Sequence, residues 1–235
     1  VAAAHAAGVA VSNTPGTVTD ATADIAMTLL LMSARRASEG EALLRSGRWT
    51  GWTPTQLLGS HVTGKTLGIL GLGRIGKAIA KRAHFGFDMN IVFHNRSRIT
   101  DAGLPANQLA SVEEVLAAAD FTVVAVPATP ETYHLINAET LAHMPAHAHL
   151  INIARGDIVE ETALIAALQS GQIAGAGLDV YEFEPLVAEA LREIANVTLL
   201  PHMGTAALEV REAMGNMALD NLSAFAAGKP LTNPV

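Results

Sequence analysis

The chain has 235 residues, half of them hydrophobic, 16% charged and 4% aromatic, with a formal net charge of −7. At ~150 residues per domain this is one to two domains, and so much apolar side chain excludes a disordered polymer. The absence of cysteine excludes disulfides, thiol catalysis and zinc–thiolate sites and suits a reducing compartment such as the cytoplasm, while the acidic balance excludes a general attraction to nucleic acid or an anionic membrane surface.

The first segment, VAAAHAAGVAV, is apolar but has no basic start and no polar, small-residue exit, so it does not read as a signal peptide. It lacks an initiator Met and is expected to begin inside a longer protein. From Val18 to about Arg48 the pattern predicts one long helix, with Asp20 and Asp24 near its start and Arg35 and Arg36 further on. It contains the longest apolar run, Ile25 to Met32, less than half of the ~20 residues that cross a bilayer. Gly47–Ser60 then carries both tryptophans, Trp49 and Trp52.

Strand-like runs follow at Thr66–Leu70, Asn90–Phe93, Phe121–Val126, His149–Ile153, Ala174–Val180 and Val197–Leu200. Helical stretches at Ile75–His84, Ser111–Ala118, Ala138–His143 and Glu161–Ser170 lie between most of them. This alternation, with strands apolar throughout, predicts an α/β fold with a doubly wound parallel sheet. A last helix from about Ala206 to Ala227 stops before Gly228-Lys229-Pro230.

The sharpest local motif is Gly71-Leu72-Gly73-Arg74-Ile75-Gly76, which follows the run TLGIL and opens the helical stretch from Ile75. A simple glycine turn would explain it alone. The strand before and helix after it fit a dinucleotide-binding turn: Gly71 for the tight turn, Gly73 for close approach of a pyrophosphate, Gly76 for helix–strand packing. An NAD site usually carries an acid about 20 residues on. Here that region reads Val92-Phe93-His94-Asn95-Arg96-Ser97-Arg98 and has none. Asn95, Arg96, Ser97 and Arg98 therefore favour NADPH, with its 2′-phosphate, over NADH, which stays possible; two solvated loop arginines are the plainer reading.

Arg155, Glu184 and His202 stand in otherwise apolar strand ends, within INIARG, LDVYEFEP and PHMG. Singly they read as a surface ion pair, a strand end and a loop histidine. Jointly they offer a cation for a carboxylate, a proton donor and a carboxylate to orient it. His143, His147 and His149 lie close in sequence, but Pro145 interrupts any shared helical face. They read as solvated loop histidines, the remaining histidines show no pairing pattern, and no metal site is expected.

With GLGRIG, VPATPET and NTPGTVTDATAD, these motifs resemble the D-isomer-specific 2-hydroxyacid dehydrogenase family over nearly the whole chain, and AHFGF and HNRSR point to its glyoxylate/hydroxypyruvate and 2-ketogluconate reductase branch. The resemblance implies reduction of a small 2-keto acid with NAD(P)H: Arg155 binding the substrate carboxylate, His202 giving a proton, Glu184 supporting His202, Asp179 on the nicotinamide carboxamide, and Pro127 and Thr132 near its ribose. It also implies a Rossmann domain over residues 14–204, a final strand at Val9–Ser12 (residues 1–13) from a flavodoxin-like N-terminal lobe encoded mostly before Val1, and a helix over 205–235 returning to that lobe. Without the lobe, cofactor binding should survive and turnover collapse. A homodimer through the first long helix and the Trp49–Trp52 arm is expected. The competing class is a dinucleotide-sensing corepressor-like module, or a cofactor-binding fragment without turnover; the acidic chain, free of low-complexity extensions, disfavours the former.

Overall fold

The computed structural model describes residues 1–235, whose contacts form two compact units, Ala23–Gly204 and a smaller one joining Val1–Thr22 to Thr205–Val235. No helix is long and apolar enough to cross a membrane.

The larger unit is a seven-stranded sheet in the order β3-β2-β1-β4-β5-β6-β7. The strands are β1 (Thr66–Leu70), β2 (Asn90–His94), β3 (Asn107–Gln108), β4 (Phe121–Val124), β5 (His149–Asn152), β6 (Gly175–Leu178) and β7 (Val197–Leu199). Every pairing is parallel, so all strands end on one edge. The order reverses between β1 and β4, the place where an open α/β sheet leaves a crevice for ligands. Each face is covered, which is why the central strands are apolar on both sides. Helix α4 (Arg74–Phe87) and helix α2 (Thr19–Ala34) supply Ile79, Ala80, Ala83, Ala26, Leu29 and Leu30 to one core with Leu67 and Ile69 of β1. On the other face, α5 (Val112–Ala118), α6 (Ala138–Leu141), α7 (Glu161–Gln169) and α8 (Glu189–Glu193) cover Leu70, Val124, Leu150 and Leu178.

The single long first helix is corrected. It ends at Ala34, where Arg36 adopts φ 52°, and resumes as α3 (Ala37–Arg45). The returning arm explains the break: Ser60 N–H donates to the Ala34 carbonyl at 2.8 Å, and the Arg36 guanidinium grips Glu39 at 2.8 and 2.7 Å. Three short elements of this unit escaped the pattern, β3, α8 and a 3-10 turn at Gly156–Ile158, because each holds too few residues for a period to show.

In the smaller unit, α1 (Ala2–Ala6) precedes a segment that is not the expected strand Val9–Ser12. That segment keeps one antiparallel bridge, Ser12 to Pro234, flanked by Asn13 N–H to the Asn233 carbonyl at 3.2 Å and Val235 N–H to the Val11 carbonyl at 3.1 Å. Too few of its backbone groups find a ladder partner for a strand to form. The last helix, α9 (Leu208–Ala226), buries Asn221, whose side chain donates to Asn233 Oδ1 at 3.2 Å and accepts from Asn233 N–H at 3.0 Å.

The reading of His149 as a solvated loop residue is also corrected. It opens β5 with 4% of its surface exposed, bonded to Ser33 Oγ through Nδ1 at 2.8 Å and stacked on Phe121, with Nε2 buried and unpartnered. Burial pushes its imidazole down to about 4 from 6.5. Below pH 6.5 the unfolded chain takes up a proton that the folded chain refuses until about pH 4, so this residue makes stability fall as pH falls across that window, by up to about 3 kcal/mol. His149→Gln should flatten the acid limb of urea midpoints plotted against pH; an unchanged slope would place the proton uptake elsewhere.

Candidate active site

β1 runs directly into the glycine turn. Gly71 has φ 95°, and a side-chain carbon there would lie 2.8 Å from the Ala125 carbonyl oxygen of the neighbouring strand's extension. At Gly76 an added carbon would run into the Gly71 carbonyl oxygen, so helix and turn touch backbone to backbone. Gly73 has open space around it and caps α4 without a side-chain bond, leaving the first-turn N–H groups of α4 available. Arg74 is exposed and Ile75 half-buried at the same helix start. These residues fit a dinucleotide pyrophosphate.

Beyond β2, a cleft of about 720 Å³ is lined by Asn95, Arg96, Arg98, Ile99, Leu104 and Gln108 among others. Arg96, Ser97 and Arg98 are exposed, and neither arginine forms an ion pair or hydrogen bond within the chain. Asn95 Nδ2 donates to the carbonyl and hydroxyl oxygens of Ser97, both at 3.1 Å. One carboxylate that the motif reading overlooked, Asp101, also lines the cleft; its Oδ1 accepts from Gly103 N–H at 2.7 Å. After β4, Thr132 Oγ1 donates to the Pro127 carbonyl at 2.8 Å and accepts from Thr129 N–H at 2.8 Å, folding that loop on itself.

The carboxylate of Asp179, directly after β6, is buried to 1% exposure. Its two oxygens accept from Met203 N–H and Gly204 N–H, each at 2.8 Å, and its carbonyl accepts from His202 N–H at 2.8 Å. The turn after β7 is thereby fixed, with His202 at φ 52°. Burial raises the Asp179 carboxyl pKa, and the Met203 and Gly204 N–H bonds and the charge of His202 only partly oppose this. His202 Nδ1–H donates to Glu184 Oε2 at 2.8 Å, since an ionised carboxylate can only accept. Nε2 makes no bond within the chain. Burial works to raise the Glu184 carboxyl, but bonds from His202 and the Tyr181 N–H, with the charges of His202 and Arg155, outweigh it and hold the pKa below the ordinary value. Glu184 and His202 line a mainly apolar cleft of about 350 Å³. Arg155, exposed after β5, donates through Nη1 to the Ala154 carbonyl at 2.6 Å and is near enough to Glu184 for their charges to interact.

Sequence reasoning missed two supports. Gly156 packs so tightly on the Tyr181–Glu182 backbone that any side chain would overlap it, which seats the Arg155 loop against the Glu184 loop. The glycine beside Arg155 was the available signal. Two histidines outside the motifs also pair: His134 Nε2 bonds Glu182 Oε1 at 2.7 Å, and the exposed His147 Nε2 bonds Asp120 Oδ1 at 2.9 Å. These partners are far apart in sequence and share no motif. Glu182 Oε2 in turn accepts from Glu161 N–H at 2.9 Å, tying the loops after β4 and β6 to α7.

A nucleotide-cradling turn and a polar histidine–carboxylate pair on one sheet edge define a dinucleotide-dependent oxidoreductase. Residues 27–204 match the family described as D-isomer specific 2-hydroxyacid dehydrogenase, NAD binding domain. Glyoxylate reductase of Pyrococcus horikoshii is 49% identical over 227 residues, covering 94% of this chain and 68% of that protein. Glycerate dehydrogenase of Hyphomicrobium methylovorum is 42% identical, covering 98% of this chain and 72% of its own. The crystal structure of the NADPH-dependent glyoxylate/hydroxypyruvate reductase of Sinorhizobium meliloti with NADP and malonate superposes with a TM-score of 0.92 at 41% identity, covering 100% of this chain and 72% of that one. The chain belongs to the D-isomer specific 2-hydroxyacid dehydrogenase family, in its glyoxylate reductase branch.

Asp179→Asn should leave one of the two N–H groups after His202 without its acceptor, at a cost of about 1–3 kcal/mol. The urea midpoint should fall accordingly. An unchanged midpoint would mean that this carboxylate does not anchor the turn.

Proposed function

We propose that this chain supplies the cofactor site and the Arg155, Glu184 and His202 group for reduction of a small 2-keto acid, of the glyoxylate, hydroxypyruvate or 2-ketogluconate type, to the D-2-hydroxy acid. The observation that carries the reading is the 2.8 Å His202–Glu184 pair beside Arg155 at the strand ends. The Arg155 guanidinium pairs with the substrate carboxylate and orients the keto group. His202 holds a proton on Nε2 and gives it to the carbonyl oxygen as negative charge develops there. Glu184 keeps Nδ1–H engaged, which fixes the ring and leaves Nε2 as the donor. Asp179 holds the turn that carries His202. Gly71, Gly73, Arg74, Ile75 and Gly76 would hold the pyrophosphate, and Pro127 and Thr132 would rest against the nicotinamide ribose. When bound, the reduced nicotinamide supplies the hydride. His202→Asn should lower kcat by about 10²–10⁴ while leaving cofactor affinity within a few-fold. The direct assay is loss of NADPH absorbance with glyoxylate or hydroxypyruvate, followed by chiral chromatography of the product. Cofactor binding without oxidation by any 2-keto acid would instead assign a cofactor-binding role.

The cofactor in this reading is NADPH, supported by the two exposed arginines after β2, Arg96 and Arg98, neither of which forms an ion pair or hydrogen bond within the chain. Arg96→Ala should weaken NADPH at least tenfold more than NADH; equal losses would show that Arg96 does not read a 2′-phosphate.

A homodimer is part of the proposal, with its surface moved. The chain itself buries most of the apolar side chains of α2, including Met27, Leu29 and Leu30. Exposed apolar groups lie instead on α3 and the arm: Leu44 at 62%, Trp49 at 49%, Trp52 at 78% and Leu58 at 65%. Exposed apolar side chains of this kind are what a symmetric contact would cover. Light scattering at micromolar concentration should give twice the chain mass, and a monomer mass would reject the contact. The absence of cysteine suits the proposed cytoplasmic location.

A further inference from the structure

The loop from Asn95 to Ile99 leaves the sheet at the end of β2 with both arginines exposed and in no hydrogen bond or ion pair, Arg96 having only the charge of Glu131 nearby. Exposed arginines on a mobile loop lose much side-chain and backbone freedom when they close on an anion, and an already ordered loop avoids that loss. Asn95 gives the loop only a local bond to Ser97.

Ile99 packs against the core at the loop's far end, and the loop's other hydrogen bonds come from one side chain, Gln108. It sits on β3, the short edge strand, in register with Phe93 of β2. Its Oε1 accepts from Ile99 N–H at 2.9 Å. Its Nε2 donates to the Asn95 carbonyl at 3.1 Å and to the Ser97 carbonyl at 3.0 Å. A single amide therefore satisfies three main-chain groups on both sides of Arg96 and Arg98, groups that have no ladder to join. No other uncharged side chain of this length can both accept from the N–H and donate to the two carbonyls. Gln108 also lines the 720 Å³ cleft with Arg96 and Arg98.

We propose that Gln108 is the positioning residue for cofactor choice: by clamping residues 95–99 it presents Arg96 and Arg98 in an arrangement that receives the 2′-phosphate of a phosphorylated dinucleotide. The inference rests on the NADPH reading above. It predicts that the clamp matters for the phosphorylated cofactor and little for the one bearing a free hydroxyl.

The test uses the folded protein and reads binding rather than turnover: dissociation constants for NADPH and NADH from nicotinamide fluorescence, with amide hydrogen exchange over residues 95–99 in the absence of cofactor. Gln108→Met keeps the length and removes all three bonds. It should raise the NADPH constant about tenfold or more, change the NADH constant less than about twofold, and speed exchange at the Ile99 amide. Gln108→Glu keeps only the bond from Ile99 and sets a carboxylate against two carbonyls, so its loss of NADPH affinity should be at least as large. Arg96→Ala separates the two claims. If Arg96→Ala is selective for NADPH and the Gln108 variants weaken both cofactors alike, or neither, the clamp is wrong and the NADPH reading stands. If Arg96→Ala is not selective, the NADPH reading fails and takes the clamp with it. Should Gln108→Met not fold, Gln108→Glu decides on the same criteria. Failure of both to fold would make Gln108 a structural residue and overturn the proposal.

Discussion

Two main-chain N–H groups converge on one buried carboxylate, and the proposed chemistry of this protein hangs on that arrangement. Asp179 has almost no contact with water, yet both oxygens are matched, by Met203 and Gly204. Its own carbonyl takes the His202 N–H, so one residue fixes three consecutive amides. A histidine in the left-handed region, at φ 52°, is strained in isolation and stays there because these bonds over-determine it. The ring meets Glu184 at 2.8 Å. Burial that raises the Asp179 carboxyl pKa is the cost of placing an anchor where water cannot compete for the same N–H groups.

The same economy runs through the rest of the sheet edge. The proposed site residues come from six strand ends: Gly71 after β1, Arg96 after β2, Thr132 beyond β4, Arg155 after β5, Asp179 and Glu184 after β6, and His202 after β7. Parallel strands put these ends together, so the fold supplies proximity and the loops only fine placement. Placement is then secured by side chains that touch no reacting atom, among them Gln108 under the loop after β2 and Glu182 between α7 and His134.

The alternation of apolar runs and helical stretches carried the sheet because a parallel strand buried on both faces must be apolar throughout. The turn at Gly71–Gly76 was equally legible, since a positive φ and two backbone-to-backbone contacts leave glycine little competition. Arg155, Glu184 and His202 stood out as charged or titratable groups where a strand end would otherwise be apolar. The illegible part was what depends on distant partners. The break at Arg36 follows from a hydrogen bond made by Ser60, and nothing in the helical pattern of residues 19–45 announces it. His149 looked like a loop residue because its burying neighbours, Ser33 and Phe121, come from two other elements. The strand expected at Val9–Ser12 was a matter of pairing partners, which local composition does not reveal.

The central claim is that His202 and Glu184 act as one proton-donating unit. A double-mutant cycle on kcat for 2-keto acid reduction tests it, using Glu184→Gln, His202→Gln and the double variant. Residues that work as a unit lose their function together, so the double variant should be no slower than His202→Gln alone, to within about threefold. Losses that multiply, with the double variant slower by the product of the two single effects, would show that the two side chains act independently and that the 2.8 Å bond does not serve the reaction.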